Sequence, residues 1–384
     1  QDKMIAFWKK IAERYKDNPW MGAYDIINEP NWNFTGTNQN GCDEESNAPL
    51  RKLQVDITKA IREVDKNHLI FIEGNCWGNN YNGIFPLWDD NMALSFHKYW
   101  NENDKASIQK FLDYRVQYNV PIWLGESGEN SNVWFIQCIS LMEINNIGWA
   151  YWPMKKIENI AGVTNVTMNP DFQKLLDYWK NGGTKPTEAF AKKALMEQVE
   201  NFKMEKVTVK PDVVDAMFRQ VNSTDTKVYK KHNLPGKVYA TEYDMGQLNY
   251  AYSDVDYINI KGTTFPAWNK GYQKRNDGVD VFKCTDKITN GYQVSSIESG
   301  EWIQYTFDLK KAKTFNVDIR FSSETAGGIL YLENESGMIS EKITIPSSGG
   351  FDKWQTITIK NVKLNKGINK VKVHFEKGGF NLNY

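Results

Sequence analysis

Cysteine is scarce, long apolar runs are missing, and neither sign of charge is in excess. The four cysteines, Cys42, Cys76, Cys138 and Cys284, show no CxxC spacing, which argues against a zinc site. Isolated in this way they read by default as small buried hydrophobes. Cys42 and Cys76, both in loops between a strand and a helix, form the pair placed to meet in a disulfide. No stretch approaches the ~20 apolar residues of a membrane span. With 47 basic and 47 acidic residues the formal net charge is zero, which disfavours nucleic acid or an anionic membrane as the main partner. No Gly-rich phosphate loop follows the first predicted strand, so a doubly wound nucleotide-binding sheet is not expected.

Aromatic residues are plentiful instead. They make up 14% of the chain, and tryptophan occurs 14 times. Core packing accounts for many of these rings, but flat sugar faces also stack on exposed Trp and Tyr. Two segments give that excess a chemical direction: Tyr24-Asp-Ile-Ile-Asn-Glu-Pro30 and Ile122-Trp-Leu-Gly-Glu-Ser-Gly128. Each reads as a buried apolar strand that presents a glutamate, Glu29 or Glu126, at its C-terminal end. Paired carboxylates on separate strands are what retaining glycoside hydrolysis needs, one as acid and base, the other as nucleophile.

Up to about residue 200 the pattern alternates. Helices are predicted at Met4–Tyr15, Leu50–Val64, Ile108–Tyr118, Val133–Glu143 and Thr187–Val199, and strands at Met21–Asn28, His68–Glu73, Met92–Phe96, Pro121–Gly125 and Gly148–Trp152. Apolar strands alternating with amphipathic helices imply a parallel sheet covered by helices. The polar residues of interest fall at strand C-terminal ends, where TIM-barrel active sites lie. Residues 201–236 read as a connecting segment with a short helix at Pro211–Gln220. Residues 237–384 change character. Alternating runs such as Glu301-Trp-Ile-Gln-Tyr-Thr-Phe307 and Phe315-Asn-Val-Asp-Ile-Arg-Phe321 between Gly, Asn and Ser turns signal a β-sandwich.

Asn28-Glu29-Pro30, His97 with Tyr99, Trp123-Leu-Gly-Glu126 and Gly148-Trp-Ala-Tyr-Trp152 form an ordered set. By that set residues 1–200 resemble the C-terminal portion of a glycoside hydrolase family 5 catalytic domain. The implied fold class is α/β, a (β/α)8 TIM barrel of which strands four to eight are visible. Strands one to three of that pattern are not in this sequence, so the chain is expected to belong to a longer polypeptide. The N-terminal portion of the same barrel would then be a partner of residues 1–200. Residues 237–384 resemble a family 6 carbohydrate-binding module, an all-β jelly-roll. The resemblance rests on Asn276-Asp-Gly-Val-Asp280, Gly300-Glu-Trp-Ile-Gln-Tyr305, Ile345-Pro-Ser-Ser-Gly-Gly350 and Gly378-Gly-Phe-Asn-Leu-Asn-Tyr384.

The resemblance implies Glu29 as acid/base and Glu126 as nucleophile. Asn28 would bond the substrate 2-hydroxyl, His97 would line the wall, and Tyr99 would orient Glu126. Trp152 would be the platform under the cleaved sugar, with Trp32, Trp77 and Trp100 at further subsites. Glu129, beyond Gly128, is the rival to Glu126. In the module, Tyr292 and Phe351 would sandwich a sugar hydrogen-bonded by Asn381, and Trp302 and Trp354 would belong to the core. No metal or cofactor is expected in catalysis. A structural calcium is implied for the sandwich, where the first-strand acidic pair reads Tyr239-Ala-Thr-Glu242. The function implied is a secreted, extracellular endo-β-1,4-glucanase acting on plant polysaccharide. Xylan, arabinoxylan, mannan or mixed-linkage glucan are alternative substrates, and a non-catalytic binding protein is the alternative class.

Overall fold

The computed structural model describes residues 1–260 and 268–384. They form two compact units. One is Gln1–Ser127 with Ser140–Trp152; the other is Gly128–Ile139 with Pro153–Tyr384.

The first unit is built on five parallel strands in sequential order: β1 (Ala23–Asp25), β2 (Leu69–Glu73), β3 (Met92–Lys98), β4 (Ile122–Ser127) and β5 (Gly148–Trp149). The sequential parallel order is that of neighbouring strands in a β/α barrel, each reached through a crossover. One face carries Tyr24, Ile26, Ile70, Ile72, Leu94, Phe96 and Leu124, all buried. Helices cover this face. Trp8 of the helix Asp2–Tyr15 meets Tyr24 edge-on, and Phe111 of the helix Gln109–Gln117 stacks on Phe96 at 4.1 Å. The opposite face carries Asp25, Phe71, Glu73, Ser95, His97 and Trp123, which alternate with the first set along each strand. Phe71 and Trp123 stack there at 5.6 Å. Gly148 lies against that indole, and a Cβ would come within 2.5 Å of it.

β1 is three residues long, shorter than the predicted Met21–Asn28, because it pairs on one side only, with β2. The regular part of β5 likewise ends at Trp149, although Ala150 N–H to Leu124 O and Trp152 N–H to Ser127 O keep the run beside β4.

In the second unit a sandwich of antiparallel strands encloses Val294, Ile303, Phe321, Leu330, Ile359, Val371 and Phe375. One sheet has the strands Val281–Lys283, Tyr292–Val294, Asn381–Leu382, Lys313–Ser323 and Gly350–Leu364. The other is centred on Gly328–Asn334, Gly367–Lys377 and Glu301–Leu309. Three helices precede it: Pro170–Asn181, Glu188–Asn201 and Pro211–Asn222. The first lies in a stretch left unassigned by sequence, yet its start was legible. Asn169 accepts the N–H groups of Asp171 and Phe172, with Pro170 at the first helical position. Among the described residues no helix is long and apolar enough to cross a membrane.

Candidate active site

Glu29 sits just past β1 with φ +48°, a left-handed conformation uncommon for a residue with a side chain. Its backbone N–H donates to Glu73 Oε2 at 2.8 Å, which holds that conformation. Glu73 ends β2, is fully buried, and is anchored through its carbonyl by Gln54 Nε2 at 2.7 Å.

Glu126 reaches the same place by a different device. Strict alternation from Trp123 would turn it toward the helices. The β3–β4 register shifts between Phe96 and His97, so that Phe96 pairs with Leu124 but His97 pairs with Glu126. Gly125 is the extra residue of this bulge, and a Cβ there would lie 2.2 Å from Ser95 Oγ. Bulges re-aim side chains beside active sites.

His97 joins these carboxylates. Its Nδ1 lies 2.8 Å from Glu29 Oε1 and 3.5 Å from Glu126 Oε2, and its Nε2 lies 3.1 Å from Glu73 Oε1. Tyr99 O–H donates to Glu126 Oε2 at 2.8 Å. One oxygen of Glu29, one of Glu126 and a ring nitrogen of His97 all fall within 4.8 Å of one another. Such spacing could seat a metal only if the imidazole offered a lone pair. Nδ1 is engaged with Glu29 Oε1, and Nε2 faces Glu73 Oε1 without the alignment of a hydrogen bond.

Burial of His97 disfavours its charge, but Glu73, Glu29 and Glu126 outweigh it and push the imidazolium up to about 9. Burial raises Glu126 above the usual carboxylate range, opposed by the Tyr99 hydroxyl and His97 and reinforced by Glu29 and Glu73. The His97 shift has a stability consequence. Relative to an ordinary 6.5, the buried imidazolium contributes about 3 kcal/mol that is fully present below pH 6.5 and is lost as pH rises through about 9. Urea midpoints of the native protein are therefore expected to fall between pH 7 and 10 by more than those of His97→Asn. Parallel pH dependence in the two proteins would refute the assignment.

The sequence-predicted residues Glu29, His97, Tyr99 and Glu126 thus converge. Asn28 is exposed beside Glu29. Trp152 is 49% exposed, its backbone fixed to Ser127 at the end of the Glu126 strand. Glu129 is paired with Lys156. Glu73 was missed, although it carries the same signature as the other two, an apolar strand ending in glutamate.

Trp32 and Trp77 lie on the loops after β1 and β2, and these loops are stitched together. Asn75 accepts from Trp32 N–H at 3.0 Å and donates to Trp32 O at 2.7 Å, and Trp77 N–H donates to Pro30 O. Cys42 and Cys76 form a disulfide, so the default reading of free thiols is corrected for this pair. Cys138 is buried and Cys284 half-buried.

In the sandwich, Phe351 and Asn381 line a cleft of about 460 Å³ together with Phe282, Lys283, Gln293 and Asp352. Tyr292 does not line it. Alternation along Tyr292–Val294 turns Tyr292 and Val294 toward the core and leaves Gln293 in the cleft, beside its register partner Phe282. Phe282 thus shares the cleft with Phe351, and Phe380 lines it as well. The signal was the alternation itself, since Val281 is core and its neighbour must face outward. Trp302 is buried as expected, whereas Trp354 is half-buried and donates to Thr285 Oγ1. Glu242, the acidic residue of the first-strand pair, is buried and already held by Lys230 at 2.7 Å, with His232 at 3.7 Å. Lys274 donates to the neighbouring Thr241. With ammonium groups on both residues, this set does not fit a calcium ion.

Residues 1–157 match the family cellulase (glycosyl hydrolase family 5), and residues 272–384 match the carbohydrate binding module (family 6). The chain is 28% identical over 102 residues to the clotting factor G alpha subunit of Tachypleus tridentatus, covering 26% of this chain and 15% of that protein. It is 22% identical over 224 residues to endoglucanase C of Acetivibrio thermocellus, covering 41% of this chain and 61% of that one. The chain therefore spans less than two thirds of either relative. Among solved structures, a carbohydrate binding module from Cellvibrio mixtus lichenase 5A in complex with cellotriose is 28% identical. The match covers 28% of this chain and 82% of that one, with a TM-score of 0.25. The chain thus carries a cellulase-type region, matched to glycosyl hydrolase family 5 over residues 1–157, followed by one matched to the family 6 carbohydrate binding modules over residues 272–384.

Proposed function

We propose that the protein is a secreted, retaining endo-β-1,4-glucanase of plant polysaccharide, held on its substrate by the sandwich module. The observation that carries this reading is the approach of Glu29 and Glu126 with His97 within 4.8 Å. Retaining pairs stand about 5–5.5 Å apart, whereas inverting pairs leave about 6.5–9.5 Å for a water. Glu126, oriented by the Tyr99 hydroxyl, attacks the anomeric carbon. Glu29 gives its proton to the departing glycosidic oxygen, then takes one from the water that releases the sugar from Glu126. His97, charged and buried among three carboxylates, keeps Glu29 and Glu126 from repelling each other apart. Exposed Trp152, Trp32 and Trp77 supply stacking surfaces around the pair. In the module, Phe282 and Phe351 offer rings, and Asn381 and Gln293 polar edges, to a sugar in the cleft. Tethering there raises the local concentration of chain ends and internal bonds at the active site.

The glucan preference draws support from the endoglucanase relative, and the export from the Cys42–Cys76 disulfide, a bond of oxidising compartments. The test is hydrolysis of carboxymethyl cellulose, mixed-linkage glucan, xylan and glucomannan by the complete polypeptide, with the first-formed anomer followed by proton NMR. Fastest release from carboxymethyl cellulose with the β-anomer first is expected. An α-anomer would refute retention, and faster cleavage of xylan or mannan would reassign the substrate. Recovery of the protein from the medium rather than from cells checks the export.

A further inference from the structure

Glu73 is the last residue of β2, level with Ser95 of β3, and β3 runs on past it to carry His97 on the same face. The Glu73 side chain has no exposure, whereas those of Glu29 and Glu126 retain 31% and 18%. The turn after β2 closes over it. Gly78 has φ +78°, and a Cβ there would lie 3.3 Å from Glu73 Oε2 and 3.5 Å from the Phe96 Cα. A carboxylate so far from water is costly unless a cation and hydrogen bonds compensate. Both are at hand. Oε2 accepts the Glu29 N–H at 2.8 Å, and Oε1 stands 3.1 Å from His97 Nε2. The second contact lies outside hydrogen-bond alignment and is electrostatic. On its other side the ring presents Nδ1 to Glu29 and Glu126. Asp25, on the same sheet face, is within electrostatic reach of Glu73 and His97, and the Tyr99 hydroxyl is engaged with Glu126.

We propose that Glu73 is a positioning residue for the hydrolytic pair, acting through His97: it keeps the imidazole a cation, and that cation holds Glu29 and Glu126 together for attack. The inference rests on the reading of Glu29 as acid/base and Glu126 as nucleophile. On that reading the charges beside Nδ1 change during each turnover. Glu126 becomes a neutral ester once it has attacked C1, and Glu29 alternates between acid and carboxylate. Neither is a constant partner for an imidazolium. Glu73 takes part in neither step and is the partner that does not change. Burial lowers the proton affinity of His97, and Glu73 leads the groups that raise it. Without the cation, two carboxylates in one site repel each other. Attack on an anomeric carbon tolerates little displacement, and a misplacement of about 1 Å can cost a hundredfold in rate.

The experiment uses the full chain with isotopically labelled histidine. There are four histidines, and His97 is assigned by the signal missing from His97→Asn. By NMR, both ring nitrogens of His97 in the unaltered protein should stay protonated until about pH 9. In Glu73→Gln, whose amide oxygen can still accept the Glu29 N–H, the proton affinity of His97 is expected to fall about tenfold or more. The same variant is assayed on 2,4-dinitrophenyl β-cellobioside, which needs no acid, so kcat/KM reports attack by Glu126. Its alkaline limb should move to lower pH and coincide with the new His97 midpoint, with KM changed less than about twofold. Glu73→Asp, which keeps the anion, should restore the native limb even at a lower plateau. A lowered plateau with an unmoved limb in Glu73→Gln would make Glu73 merely structural and overturn the proposal, as would an unchanged His97 midpoint. Undiminished turnover of this glycoside by Glu126→Gln would instead overturn the nucleophile reading and leave the histidine titration as it is. If Glu73→Gln no longer melts cooperatively, Glu73→Asp and the unaltered protein decide. Loss of a His97 proton near pH 6.5 in either would refute the proposal, and retention of both protons to about pH 9, with the alkaline limb at the same pH, would support it.

Discussion

Glu126→Gln is expected to lose turnover on polysaccharides and on activated aryl glycosides alike, by a factor on the order of 10⁴–10⁶. The amide is close to isosteric and can still meet the Tyr99 hydroxyl, which lies 2.8 Å from Oε2 in the native protein. Folding and sugar binding should therefore persist while the nucleophile is gone. Glu29→Ala is expected to behave differently. Natural substrates leave as poor alkoxides and need the proton, so their hydrolysis should fall about 10²–10⁴-fold. A dinitrophenolate leaves without help, so the first step survives and the glycosyl-enzyme accumulates. Azide, small enough to enter the space left by the side chain, should then restore turnover and yield a β-glycosyl azide. Failure of azide to rescue Glu29→Ala on an activated substrate would show that Glu29 is not the acid/base.

Arg275→Met is expected to have the largest effect on stability. The native guanidinium is 1% exposed, bonded to Tyr243 O at 2.7 Å, Asp244 O at 3.2 Å and Asp277 Oδ2 at 2.8 Å, and stands 3.9 Å from Asp212. It also lies over the rings of Tyr243 and Tyr229. Methionine fills much of the volume but leaves two buried aspartates without their cation. Breaking a buried pair from one side costs about 3–5 kcal/mol. For a unit of this size that lowers the melting temperature by roughly 10 °C. Calorimetry checks this, and a fall of only about 2 °C would mean that the aspartates find another partner. Asp212 belongs to the helix Pro211–Asn222, before the sandwich begins. A cut at residue 236 would separate it from Arg275, so the sandwich is expected to be less stable without that helix.

The sequence made the site legible wherever chemistry and strand period coincided. Glu29 and Glu126 stand out because a charged residue ending an apolar strand has few structural reasons to be there. Glu73 has the same placement and was passed over because no adjacent motif singled it out. Its role depends on His97, which arrives from a strand 24 residues later. Other features depend on pairing that no local pattern encodes. The bulge at Gly125 is a property of two strands in register, and strict alternation would have turned Glu126 the wrong way. In the sandwich, a one-residue difference of face separates Tyr292 from Gln293, and only the core position of Val294 decides it. Helix Pro170–Asn181 was recoverable from its capping residues and from Phe172, Leu175, Leu176 and Trp179 at helical spacing, but the flanking loops are rich in turn formers.

The stitched loops bearing Trp32 and Trp77 bear on the thermodynamics of recognition. A covalent bond between Cys42 and Cys76, with Asn75 gripping both the N–H and the carbonyl of Trp32, fixes the backbone beneath two exposed indoles before any sugar arrives. On the proposed function, loop ordering that binding would otherwise require is completed during folding, so a glucan chain settling on those rings would forfeit mainly its own flexibility. The tryptophans act as a paved surface. If a polymer is the ligand, successive sugars would meet the same two rings in the same places, without the protein reassembling its grip each time.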